Sequence, residues 1–169
     1  MKILGILAVV GSCIGIGLTS IGAVRQEIRT LEGLAQGIHC IRAELSSRLC
    51  PMQELLMTAE RQAGPYVCAF FHSCADALTE LNSKCFAELW SNACCAFLPA
   101  LSENERIALE VLGATLGRYE LDEQLAACDR YLRSCEDAAE KLRLKLPEQR
   151  RLSLALSTAA GVFLCLMIL

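Results

Sequence analysis

The chain has little of what chemistry at a protein site requires. Of its 169 residues two are histidine, His39 and His72, and one is tryptophan. Neither histidine stands in a nucleophile or metal signature, so the converging groups of an enzyme active site are missing. No G-x-x-x-x-G-K-[ST] occurs, which excludes the backbone cradle of a P-loop nucleotide site. There is no C-x-x-C despite 11 cysteines. Between residues 25 and 151 the balance is 15 basic to 19 acidic residues with no basic run, which excludes nucleic acid as the partner. No stretch of alternating β-branched residues reads as a strand. These absences describe a non-enzymatic protein without cofactor, metal or small-molecule substrate, whose product is contacts.

Apolar residues, by contrast, are in excess. They make up 54% of the chain, with a mean hydropathy of +0.39, against ~45–50% in an ordinary soluble domain. The excess sits at the two ends, where charge is missing: Ile3 to Val24 and Leu152 to Leu169 carry no charged side chain. As helices they would cover roughly 33 Å and roughly 27 Å, against a hydrocarbon core of ~30 Å. Residues 1–24 are therefore expected to form an N-terminal transmembrane helix and residues 152–169 a C-terminal one, with Arg150 and Arg151 snorkelling at its start. A signal peptide is the rival reading of the first run, with Lys2 ahead of it and Ser20 and Gly22 before Ala23. The charge bias opposes that reading, since Lys2 stands alone and Arg25 and Arg29 follow the run. With Arg143, Lys145, Arg150 and Arg151 before the second run, the positive-inside rule places residues 25–151 in the cytoplasm and both termini outside.

The middle region reads as helix throughout, punctuated by Pro51, Gly64 with Pro65, Pro99, Gly117 and Pro147. The expected fold is all-α, a bundle of about six helices between the two terminal spans. Val24, Ile28, Leu31, Leu34, Ile38, Ile41 and Leu45 recur at spacings of three and four, a coiled-coil-like stripe continuing out of the first span. Leu121, Leu125, Cys128, Leu132, Cys135, Ala139, Leu142 and Leu146 repeat the pattern before the second span, with Asp129, Arg130, Arg133, Glu136, Asp137, Glu140, Lys141 and Arg143 on the solvated faces. The two stripes predict an antiparallel helix pair with shorter helices packed at its far end. Tyr66, Phe70, Phe71, Phe86, Trp90 and Phe97 fall at helical spacing and are assigned to the core. Ser102 followed by Glu105 reads as a capping box opening a helix.

Cytoplasmic placement argues against disulfides, and most of the cysteines read as small core hydrophobes. Cys68 and His72 stand at i and i+4 but lack the other two ligands of a zinc site. The alternative that the nine cysteines between the spans make a redox or metal-binding membrane protein stays open, as does a general two-span membrane adaptor. Gly11 and Gly15 form a G-x-x-x-G suited to close packing of membrane helices, either the two spans or two chains in a homo-oligomer.

The most distinctive stretch runs from Leu112 to Gln124: Leu-Gly-Ala-Thr-Leu-Gly-Arg-Tyr-Glu-Leu-Asp-Glu-Gln. Gly113 and Gly117 lie one helical turn apart. They either allow close helix contact, or Gly117 ends the helix in a left-handed cap, with Glu120 or Asp122 favouring the start of the next helix. This stretch resembles the L-G-x-T-L-G-x-x-D-x-x-x-Q motif of stage III sporulation protein AB of endospore-forming bacteria. The start Met1-Lys2-Ile3-Leu4-Gly5, the basic exit at Arg25, Glu44, Pro51 and the closing apolar run accompany it. Glu120 replaces the usual aspartate, and Leu156-Ser157 replaces a leucine-glycine pair. The resemblance implies a platform subunit in the mother-cell membrane around the forespore, similar to the cytoplasmic helical domain of type II secretion and type IV pilus platform proteins. It also implies a place in a secretion-like channel with other stage III subunits, and docking of the stage III sporulation protein AA-type ATPase. Gly113, Gly117, Glu120, Asp122 and Gln124 are the candidate interface or structural motif.

Overall fold

The computed structural model describes residues 22–47, 50–79, 85–116, 118 and 120–147 with their side chains, and residues 2–21 and 148–168 as helical backbone. Six helices follow one another: α1 (Lys2–Ser47), α2 (Met52–Gln62), α3 (Cys68–Thr79), α4 (Phe86–Phe97), α5 (Glu103–Thr115) and α6 (Leu121–Ile168). Among the described residues there is no strand. The chain divides into two compact units, one made of Met1–Gln26 and Lys141–Leu169, the other of Glu27–Glu140.

In the larger unit the apolar stripes become the core. Leu31, Leu34, Ile38 and Ile41 of α1 are fully buried, and Cys128, Leu132, Cys135 and Ala139 of α6 lie inside as well. Two glycines on α1 let neighbouring side chains reach its backbone. A Cβ on Gly33 would stand 2.9 Å from Val67 Cγ2, and one on Gly37 would stand 2.5 Å from Phe71 Cζ. The rings of Phe70, Phe71 and Trp90 are wholly buried and meet edge to face, with centroids of Phe70 and Trp90 4.8 Å apart, a preferred aromatic geometry. Tyr66 and Phe97, assigned to the core from spacing, are instead 42% and 43% exposed. Tyr66 lies in the turn before α3, where its hydroxyl accepts a 2.8 Å hydrogen bond from Arg29 Nη1 and its ring faces that guanidinium. Phe97 is the last residue of α4, and it is Leu98 after it, 2% exposed, that turns into the core.

Local punctuation acts as the sequence suggests in some places and not in others. Pro51 precedes α2, and its carbonyl accepts from the amides of Glu54 and Leu55. Ser102 is the N-cap of α5 in backbone terms, its carbonyl accepting from Arg106 N at 3.0 Å. The capping box does not close: the Ser102 hydroxyl makes no cap bond, and Glu105 Oε2 is buried without a partner. Pro147 lies inside α6 rather than at its end, at the cost of one i to i−4 hydrogen bond.

In the smaller unit, Arg25, Lys141, Arg143 and Lys145 are exposed, and Leu144 is 68% exposed. Among the described residues no helix is long and apolar enough to cross a membrane. The two charge-free runs assigned to spans lie almost wholly outside the residues described with side chains, as do Gly11 and Gly15.

Candidate functional site

The Leu112–Gln124 stretch forms the end of α5, a short connection and the start of α6. Its first half is buried. Leu112, Gly113, Thr115 and Leu116 lie inside, and Thr115 Oγ1 donates back to Val111 O at 2.9 Å, away from any partner. Gly113 has a specific neighbour: a Cβ there would stand 2.6 Å from Trp90 Nε1 and closer still to Cδ1 and Cγ of the same ring. The indole fills the place of the missing side chain. From that position Trp90 Nε1 donates a 2.8 Å hydrogen bond to Leu109 O, inside α5. Two further bonds join α4 to α5, from Ser91 Oγ to Glu110 Oε1 at 3.0 Å and from Arg106 Nη1 to Cys95 Sγ at 3.2 Å.

The second half is exposed. Leu116 closes α5 with extended backbone (φ −63°, ψ 128°), its amide reaching Leu112 O at 3.0 Å. Gly117 and Tyr119 lie outside the described residues, so a left-handed cap at Gly117 is not among the features described. The Glu120 carbonyl accepts from the amides of Glu123 and Gln124, both at 3.1 Å. That makes Glu120 the residue before the first turn of α6, with Asp122 and Glu123 inside that turn, where negative charge complements the helix dipole. Glu120, Asp122 and Glu123 are exposed and Gln124 is half-buried.

Next to this turn, α5 and α6 leave a groove of about 180 Å³ lined by Ala108, Val111, Leu112, Ala127, Arg130, Tyr131 and Ser134. Both helices contribute alanine to its lining, Ala108 from α5 and Ala127 from α6, and small side chains leave a depression between packed helices. Val111 is 60% exposed and Ile107, one turn earlier, 49%. The Tyr131 hydroxyl is buried beside the Cys135 thiol, and burial raises its pKa well above the ordinary phenol value. Spacing marks Val111 and Ile107 only as helix residues; that they face outward follows from α4, α6 and the core occupying the other sides of α5.

Arg42 of α1 and Asp129 of α6 form a forked pair, Nε to Oδ1 at 2.5 Å and Nη2 to Oδ2 at 3.2 Å. The guanidinium holds the Asp129 carboxyl below its ordinary value through those hydrogen bonds, against a smaller opposing effect of burial. No sequence signal links residues 87 positions apart.

Among the described residues the cysteines form no disulfide. Cys74, Cys94, Cys128 and Cys135 are buried and unpaired; burial pushes the Cys74 thiol up to about 12 and those of Cys128 and Cys135 to about 11. Such thiols are poor nucleophiles and poor metal ligands. Cys68 Sγ donates to Pro65 O at 3.5 Å, and the ring of His72 lies 3.2 Å from Glu60 through Nδ1 and 3.2 Å from Asp76 through Nε2. Among the described residues no three metal-binding side chains come together.

Comparison with known proteins fits this arrangement. The family model described as stage III sporulation protein AB matches residues 2–169. A solved structure titled stage III sporulation protein AB is similar in fold, with a TM-score of 0.64 at 18% sequence identity, covering 72% of this chain and 97% of that one. No curated protein sequence matches significantly.

Proposed function

The chain belongs to the stage III sporulation protein AB family, and on that premise we propose that it is a non-enzymatic, membrane-anchored platform subunit of the secretion-like channel between mother cell and forespore. The observation that carries this reading is the extent of the match. It spans the helical middle and both charge-free ends, so the whole layout is shared and not only the bundle. Residues 1–24 and 152–169 anchor the chain in the mother-cell membrane around the forespore, supported by their length and lack of charge. Residues 25–151 face the cytoplasm, supported by the arginines and lysines at their two ends. The chain docks a cytoplasmic ATPase of the stage III sporulation protein AA type and other channel subunits, which agrees with a sequence holding no nucleotide-binding motif of its own.

A clean deletion in the source organism tests the role. The expected result is loss of heat-resistant spores after engulfment, with arrested forespores under the microscope and recovery from a restored copy. Normal spore numbers in a strain without a second copy of the gene overturn it.

A further inference from the structure

We propose that the groove between α5 and α6 seats an amphipathic helix of a partner protein, one carrying a basic residue and a carboxylate seven to ten positions apart on the same face with small apolar residues between them. Two features of the surface carry this.

The first is shape and exposed apolar area. Ala108, Leu112 and Ala127 floor the groove, while Ile107 and Val111 stand out along α5 at 49% and 60% exposure. They are one turn apart, the spacing at which a helix laid alongside makes repeated contact.

The second is the placement of charge. Arg130 lines the groove and is exposed. Its neighbours three and four positions away on α6 are Ala126, Ala127, Arg133 and Ser134, so its own helix offers no carboxylate, and no ion pair of Arg130 occurs among the described residues. Glu123 stands exposed two helical turns before Arg130 on the same side of α6, with Glu120 exposed just ahead of the helix, both without a cation among the described residues. Seven to ten residues of helix separate the two charges, roughly 10–15 Å. The occupant must present the opposite signs over that distance.

A second copy of the chain does not suit this surface. The charge pattern complements itself only when two α6 helices run in opposite directions, Glu123 against Arg130. Side by side in the same direction, Arg130 meets Arg130. If both copies enter one membrane at residue 152, as the anchoring above has it, their α6 helices run in the same direction. The inference rests on the platform reading for that step alone; the groove and its charges stand without it.

The test uses the full chain in its own cells, with the photoreactive residue p-benzoylphenylalanine at Val111 and, as a control on another helix, at the exposed Met57 of α2. The expected adduct forms from position 111 and not from 57. By mass spectrometry it maps to a helical segment of another protein with the stated charge spacing. Arg130→Glu lowers its yield at least tenfold, and reversing the facing carboxylate of the partner to lysine restores it. Four results overturn the proposal: no adduct, an adduct with a second copy, a segment without the charge pattern, or a yield indifferent to Arg130→Glu. Adduct formation in a strain whose deletion leaves spore numbers normal would remove the sporulation-channel role while leaving the groove assignment intact.

Discussion

Gly113→Ala makes a sharp test of the packing between α4 and α5. Judged as an isolated helix position, the change is favourable by about 1 kcal/mol, since glycine is the poorer helix former. The structure reverses the sign. The new methyl would fall 2.6 Å from Trp90 Nε1 and closer still to Cδ1 and Cγ, so the ring must retreat by more than about 1 Å to reach ordinary contact. It has nowhere to go, because Trp90 is wholly buried and packed against Phe70, Phe71 and Phe86. Overpacking of this kind costs about 1–3 kcal/mol, and pulling Nε1 off Leu109 O leaves a buried donor unpaired, a further ~1–3 kcal/mol. The net expectation is a loss of about 1–5 kcal/mol, centred near about 3, or about 12 °C in Tm at roughly 4 °C per kcal/mol for a unit of this size. The assay is thermal and urea unfolding of the full chain in detergent, followed by far-UV circular dichroism and by the emission of the single tryptophan. Gly64→Ala is the control, since a Cβ there meets nothing within 4 Å. Adding Trp90→Phe to Gly113→Ala should recover part of the loss, a coupling of at least about 1 kcal/mol. A Gly113→Ala protein as stable as the parent would refute the account of why glycine stands there.

Two further outcomes follow from the ion pair and the thiols. Because Arg42 lowers the Asp129 carboxyl below its ordinary 3.8, the pair stabilises the fold fully above the unfolded-state value and loses its effect as pH falls through the lower folded-state value. Acid unfolding of the parent and of Asp129→Asn, compared between about pH 6 and about pH 2, should therefore show a gap that closes only at the acid end; a gap constant over that range would sink this reading. With maleimide at mildly alkaline pH, Cys85 and Cys95 should label in the native protein, being exposed. Cys74, Cys94, Cys128 and Cys135 should label only after unfolding, with peptide mass spectrometry as the readout, and rapid native labelling of those four would revive a redox role.

Much of the bundle was legible because helix periodicity is a local signal. The middle of each stripe on α1 and α6 is buried in the structure, whereas Leu121 at the head of α6 is 40% exposed, and the helix count agrees. What spacing alone does not carry is which side chain turns inward at a helix end: Phe97 keeps the helical register yet is exposed while Leu98 after it is buried, and Tyr66 precedes α3. The capping box failed for a different reason. The Ser102 to Glu105 spacing permits the reciprocal bonds, but Glu105 turns one oxygen inward and Arg106 joins Glu103 through both carboxylate oxygens at 2.6 Å. The Arg42 to Asp129 fork and the α5–α6 groove depend on chain segments far apart, and no pattern within either segment announces them.

The Leu112–Gln124 stretch was conspicuous as sequence because two demands meet in it. In its first half the chain is constrained from inside: a side chain at 113 collides with Trp90, and Leu112 and Leu116 are all but fully buried. In its second half nothing in the described structure holds the carboxylates of Glu120, Asp122 and Glu123, which point to solvent at the head of α6. Helix-dipole complementarity accounts for negative charge there in general, at about 0.3–1 kcal/mol for each exposed group. It does not require three carboxylates beside an apolar groove and an unpaired arginine. Substitutions in the two halves should therefore separate cleanly. Changes at Gly113 lower stability and, through it, every contact the domain makes. Replacing any one of Glu120, Asp122 or Glu123 by its amide costs no more than about 1 kcal/mol and weakens only the contact made over that turn.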